Sequence, residues 1–190
     1  SNIIAAGILC LSLGMTSCTK GFLDVESKTE STTGNFYKTE QDAYRALLGC
    51  YDGYRRATCG SAVNFLVSAE VMGYECFGGS GASDGNGMRV TDRFDLSEMP
   101  SSTGSSWSGY YAGIYRCNEL ITRENSIQWN ETGSMHTQYM AECHAIRAFL
   151  YFDVVRQFGN IPLLTKPTDE NIPQADPADV YKLIFDDLKF

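Results

Sequence analysis

Cys18 is the residue whose setting implies a definite reaction. It directly follows Met15-Thr16-Ser17, closes an apolar run from Ile3 to Met15, and is followed at once by polar residues. A short apolar core, then small residues, then cysteine is what a bacterial lipoprotein signal requires. The peptide bond before the cysteine is cut and its thiol receives a diacylglycerol. The run is shorter than the ~20 apolar residues that a mature spanning helix needs. The usual cationic start is missing, because the chain opens at Ser1 without Met or Lys, so it reads as clipped at the N-terminus. This reading divides the chain into a signal segment at 1–17, a lipidated tether at 18–36 and a folded part at 37–190.

The remaining reactive side chains suggest little catalysis. With Cys10 in the signal segment and Cys18 lipidated, five cysteines remain: Cys50, Cys59, Cys76, Cys117 and Cys143. Their odd number and the absence of a C-x-x-C pair imply neither a disulfide framework nor a zinc knuckle. Cys50, Cys117 and Cys143 fall on apolar helical faces, where a thiol behaves as a small hydrophobe. His144 follows Cys143 directly, about 100° around a helix, so the two cannot pair as base and nucleophile. Asp84-Gly85-Asn86 begins like a calcium loop, but Met88 stands where an oxygen ligand should follow and no Glu closes the loop. Loop acids such as Asp84 and Asp92 are not paired by any motif of the kind glycoside hydrolysis needs. The expectation is a protein without catalytic residues, metal or cofactor.

Composition fits a folded domain, with 43% hydrophobic and 20% charged residues. A formal charge of −8 excludes a nucleic-acid surface, which would need a basic patch. Helical periods supply the framework. A first helix starts at Thr39, with Asp42 at capping-box spacing, and carries Ala43, Leu47, Cys50, Tyr51 and Tyr54 as one stripe. A second spans Ala62 to Met72. From Gly73 to Ser106 glycines and scattered acids break any period, giving a long loop or a pair of short strands. A third helix over Ser106–Arg123 places Trp107, Tyr111, Ile114, Asn118 and Ile121 on one face, with Asn118 expected to tie one helix to the next. The fourth, about Ser134 to Phe158, is apolar nearly all round in its second half. It must therefore be covered on several sides, with Glu142 and Arg147 held in ion pairs or carbonyl networks. Gly159 and Pro162 end it. Asp176-Pro177-Ala178-Asp179 starts a last helix, whose abrupt stop at Phe190 reads as a truncation. Asn130-Glu131-Thr132 matches a glycosylation sequon and is read as chance. The fold class is all-α, in stacked antiparallel helix pairs.

Taken in order, several segments resemble the SusD/RagB family of outer-membrane, glycan-binding lipoproteins. Phe22-Leu23-Asp24 after Cys18 is similar to the family's post-lipid segment, and Asn35-Phe36-Tyr37 with Glu40, Asp42-Ala43 and Tyr51 to its first helix entry. Trp107, Tyr111, Ile114 and Asn118 resemble its W…Y..I…N helix. Glu142 to Ala148, Tyr151-Phe152-Asp153 and Phe158 to Leu163 resemble its longest signature. Asp179-Val180-Tyr181, Ile184 and Asp187-Leu188 complete the set. Departures are Cys143 in place of Ala, Ala145 in place of an aromatic, and Thr19-Lys20-Gly21 where an acidic pair linked to surface export often stands. The family is far longer than this chain.

The resemblance implies a tetratricopeptide-like helical scaffold carrying sugar-binding loops. It also implies a nutrient-uptake role: capture of an oligosaccharide or polysaccharide at the outer membrane and delivery to a SusC-like TonB-dependent transporter. Sugars are held by aromatic faces and by planar polar groups that fork to hydroxyls. In the 73–106 loop Tyr74, Glu75, Phe77, Asp84, Asn86, Arg89 and Phe94 are such groups. Trp107 closes the loop, but its phase places it in the core. The alternative is a lipid-anchored helical scaffold for a protein or peptide, since a fold does not fix a function.

Overall fold

A computed structural model describes residues 36–59, 64–79, 81, 83, 86–95, 97 and 99–190. Cys18, the signal segment expected at 1–17 and the tether expected at 18–36, apart from Phe36, lie outside these residues, as does Asp84. Six helices follow in order: α1 (Glu40–Cys59), α2 (Phe65–Met72), α3 (Asn86–Asp92), α4 (Met99–Arg123), α5 (His136–Phe158) and α6 (Pro177–Leu188). A 3₁₀ turn at Glu124–Ser126 follows α4. Between α5 and α6, Ile161–Pro162 (β1) pairs antiparallel with Gln174–Ala175 (β2), Ile161 opposite Ala175. No helix among the described residues is long and apolar enough to cross a membrane.

The helix ends follow local chemistry. The Thr39 hydroxyl accepts from Asp42 N at 3.2 Å while the Asp42 carboxylate accepts from Thr39 N at 3.0 Å, a reciprocal capping box. The Asn64 side chain caps α2 by accepting from Val67 N, and that of Asp176 caps α6 by accepting from Ala178 N, with Pro177 in the first turn. Gly159 closes α5 at φ +71°, a conformation that glycine adopts without strain.

The core is a three-helix contact of α1, α4 and α5. Tyr110, Ile114, Cys117 and Leu120 of α4 are wholly buried, so the buried face is centred one position away from the expected Trp107–Ile121 stripe. Small residues decide how closely the helices approach. A Cβ on Gly53 of α1 would lie 2.9 Å from Gly113 Cα of α4, and one on Gly113 would lie 2.9 Å from Leu150 of α5. The α1 stripe runs through Ala43, Ala46, Leu47, Cys50, Gly53 and Ala57, while Tyr51, expected inside, is exposed. α4 begins at Met99, seven residues before the expected start. Pro100 is tolerated in a first turn, and the Ser/Thr/Gly-rich segment is carried into the helix by the strong stripe that follows it. The expected long loop is therefore interrupted by α3 and shortened by the first turns of α4.

Arg147 organises the packing of α5, α4 and α6. It is 4% exposed, and both Nε and Nη2 donate to the Asp187 carboxylate at 2.8 and 2.7 Å. Its Nη1 donates to Asn118 Oδ1 at 2.8 Å, and Asn118 Nδ2 in turn donates to Leu164 O. His144 Nδ1 lies 2.7 Å from Asp187. Asn118 thus ties helices together, and Arg147 is paired, as expected. Glu142 differs: it accepts from the Tyr51 hydroxyl and the Gln138 amide, because its half-exposed position on α5 faces α1 polar groups. Burial alone would raise the Asp187 carboxyl, but the bonds from Arg147 and His144 outweigh it and hold the group below its ordinary value.

Two outcomes follow. Arg147→Ala should lower stability by about 3–5 kcal/mol in chemical denaturation, since it strands a buried carboxylate; replacing Arg147 by Met together with Asp187 by Leu should recover much of that loss. Asp187 has a depressed folded pKa, so its contribution is complete above the ordinary carboxylate range and is lost as pH falls through the folded value. The difference in melting temperature between wild type and the Met/Leu variant should therefore change in favour of the variant on acidification.

Candidate functional site

The candidate site is built where α2 ends and α3 begins and ends. After Met72 the chain turns back over its own helix: Gly73 N donates to Ala69 O at 2.8 Å, and Glu75 N and Cys76 N both donate to Glu70 O. This wrap places Tyr74 at φ +62°. Gly78 then meets α3 so closely that a Cβ there would collide with Met88 O and lie 2.6 Å from Asp92 Cβ. α3 buries Val90 and Thr91, and its end closes through Phe94 N to Thr91 O and Asp95 N to Val90 O, with Phe94 at φ +51°.

Tyr74 and Phe94 are two of three aromatic residues in the left-handed region among the described residues, Tyr37 being the third, and such conformations are unusual for non-glycine residues. Here they bring Tyr74 and Phe94 together, ring centroids 6.3 Å apart with planes inclined at 40°. Tyr74 is 80% exposed and Phe77 92%. Large rings at that exposure are available to a ligand rather than to the core. Glu75 is exposed and Arg89 half-buried. Asn86 is the first residue of α3. Chemically, the Tyr74–Phe94 pair and Phe77 can offer apolar faces. Trp107 is half-buried against Phe158, centroids 5.0 Å apart and edge-on, and lies 4.7 Å from Tyr111. It therefore sits at the edge of the core rather than within it, because the buried face of α4 is centred on Tyr110, Ile114 and Cys117.

Supports for this surface come from the helices behind it. Arg156 of α5 lies between the rings of Phe65 and Phe152, 3.7 Å from each centroid, and pairs with Asp153 at 2.7 Å. The Tyr110 hydroxyl accepts from Phe65 N and donates to Asp153, which fixes the start of α2 to both α4 and α5. Burial and the neighbouring Asp153 push the Tyr110 hydroxyl pKa up, so it stays protonated as this donor.

Sequence reasoning missed a second concave surface. Thr39, Glu40, Tyr44, Trp129, Asn130 and Tyr139 line a groove of about 560 Å³ between α1 and the start of α5. Desolvation would raise the Glu40 carboxyl, but donors from Asn130, Ser134 and Met135 outweigh it and hold it below its ordinary value. The available signal was Asn130-Glu131, read only as a chance sequon. The sequence also gave no sign that Cys50, Cys117 and Cys143 meet. Their sulfur atoms all lie within 4.8 Å of one another.

The sequence profile of the SusD-like family described as "Starch-binding associating with outer membrane" matches residues 82–190. This chain belongs to the SusD-like family. It is similar to SusD-like protein P38 of Formosa agariphila, 27% identical over 99% of this chain and 36% of that protein. A SusD-like protein of Bacteroides ovatus is 26% identical over 51% of this chain and 19% of its own length. Among solved structures, a SusD homolog from Bacteroides thetaiotaomicron superposes with a TM-score of 0.62 at 25% identity, covering 86% of this chain and 32% of that one. A SusD superfamily protein from Bacteroides vulgatus gives 0.63 at 22% identity, covering 81% and 34%. The all-α, tetratricopeptide-like scaffold is thereby established, and this SusD-like chain spans about a third or less of the length of these relatives.

Proposed function

We propose that this SusD-like chain belongs to a non-catalytic glycan-binding protein of the outer membrane, anchored through lipid on Cys18, which captures oligosaccharides and delivers them to a SusC-like TonB-dependent transporter. The observation that carries the reading is the match to a family described as starch-binding and associating with the outer membrane. The exposed Tyr74, Phe77 and Phe94 support it, because aromatic faces suit the apolar side of a sugar ring and loops on a rigid scaffold are common binding positions. Glu75, Arg89, Asn86 and Asp84 are the polar residues proposed to add hydrogen bonds. A binding role also suits the histidines, which are engaged in hydrogen bonds to Glu124 and Asp187.

A second reading, a scaffold for a protein partner, is favoured by one feature. Phe149, Phe152, Tyr181, Phe185 and Leu188 line an apolar groove between α5 and α6. Calorimetric titration of the full-length protein against a panel of starch-type and other oligosaccharides, and against peptides, separates the two.

Replacing Phe77, Phe94 and Arg89 together by Ala should weaken binding of the best glycan at least tenfold. Phe77→Ala alone should leave the melt within about 0.5 kcal/mol of wild type, as expected for a surface change. Unaltered glycan affinity in the triple variant would place the site elsewhere in the protein. Cys18→Ala should abolish incorporation of radiolabelled palmitate and release the protein from the membrane fraction; continued labelling would refute the anchor.

A further inference from the structure

The three buried thiols converge in a way that their packing does not require. Cys50 comes from α1, Cys117 from α4 and Cys143 from α5, one from each helix of the core, and each is fully buried. Cys50 Sγ and Cys143 Sγ are 3.9 Å apart, and Cys143 Sγ lies 3.6 Å from Cys117 O. All three sulfurs fall within 4.8 Å of one another.

That triangle has the dimensions of a coordination site. A metal–thiolate bond of about 2.3 Å places the sulfurs of a trigonal MS₃ unit about 4.0 Å apart. The observed separations therefore need at most a contraction of several tenths of an ångström. Metal type follows from the donor set. Structural zinc takes four tetrahedral ligands and iron–sulfur clusters use four cysteines. Here the group among the described residues comprises three thiols, without a His or carboxylate, in a place closed to solvent. Soft thiolates with no fourth donor suit a monovalent d¹⁰ ion, which thiolate ligands select.

We propose that Cys50, Cys117 and Cys143 form a three-coordinate thiolate site for a soft monovalent cation of the Cu(I) class. Binding replaces S–H protons, which pass to solvent, by metal–sulfur bonds, with no change of oxidation state.

The test uses the chain with Cys10, Cys18, Cys59 and Cys76 replaced by Ser, so that the three core thiols remain. It is refolded without oxygen in the presence of Cu(I) and challenged with a chromophoric Cu(I) chelator. Should that background fail to fold, the native chain with its exposed thiols alkylated replaces it. The expected result is one copper retained per chain, a raised melting temperature, and X-ray absorption reporting three sulfur neighbours. Cys143→Ala, a small-for-small change, should lose copper to the chelator at a concentration at least tenfold lower, with the melt of its metal-free form close to that of the parent. Copper retained equally by Cys143→Ala, copper stripped at once from the parent, or a Cys50–Cys143 disulfide in place of free thiols would overturn the proposal.

Discussion

A guanidinium sealed between helices must be neutralised and hydrogen-bonded, or its burial costs more than the packing around it returns. Arg147 meets that condition with groups from three separate stretches of chain: the carboxylate of Asp187 on α6, the amide of Asn118 on α4, and through that amide the carbonyl of Leu164. The same carbonyl accepts from the Tyr151 hydroxyl, and Tyr111 reaches Pro162 O nearby. One charge thereby sets the position of α6, the course of the segment after α5, and the rotation of α4. Apolar contacts alone would tolerate several rotations of these helices; the forked Arg147–Asp187 geometry tolerates few.

Against this fixed frame the surface around Tyr74 and Phe94 is made of short pieces. α3 contributes only Asn86–Asp92, and the turns on either side of it hold Tyr74 and Phe94 in left-handed backbone. Such conformations persist when the surroundings determine them, here by the wrap onto Glu70 O and by the contact of Gly78 with α3. In this SusD-like fold the helices supply rigidity and the turns carry the exposed rings, so the exposed residues can vary while the core is kept.

Much of the helical framework could be read from residue spacing because its signals are local. The Thr39–Asp42 box, the Asp176-Pro177 start, Gly159 and the apolar surround of Arg147 each act within a few residues. The misreadings share a cause: they depended on what another helix brings. Tyr51 looked buried until the Gly53–Gly113 approach showed that α1 turns its small residues inward. The Met99–Ser106 segment has poor helical propensity and is helical by continuation of α4. The Tyr74–Phe94 ring pair, the groove beside Glu40 and the meeting of three cysteines are products of tertiary placement, for which the sequence carries no period.

The distance along the chain between Arg147 and its counter-ion has a consequence for how the protein is made. The two are 40 residues apart, and Asp187 lies in the last helix. A chain threaded across a membrane with its N-terminus first delivers the cation before its partner, so an interval separates their arrival. Throughout that interval α5 can coil but cannot close against α4 and α6 in its final register without burying a bare charge. Solvent therefore has to stay at Arg147 until α6 arrives, and the emerging chain is held loose by its own electrostatics until then.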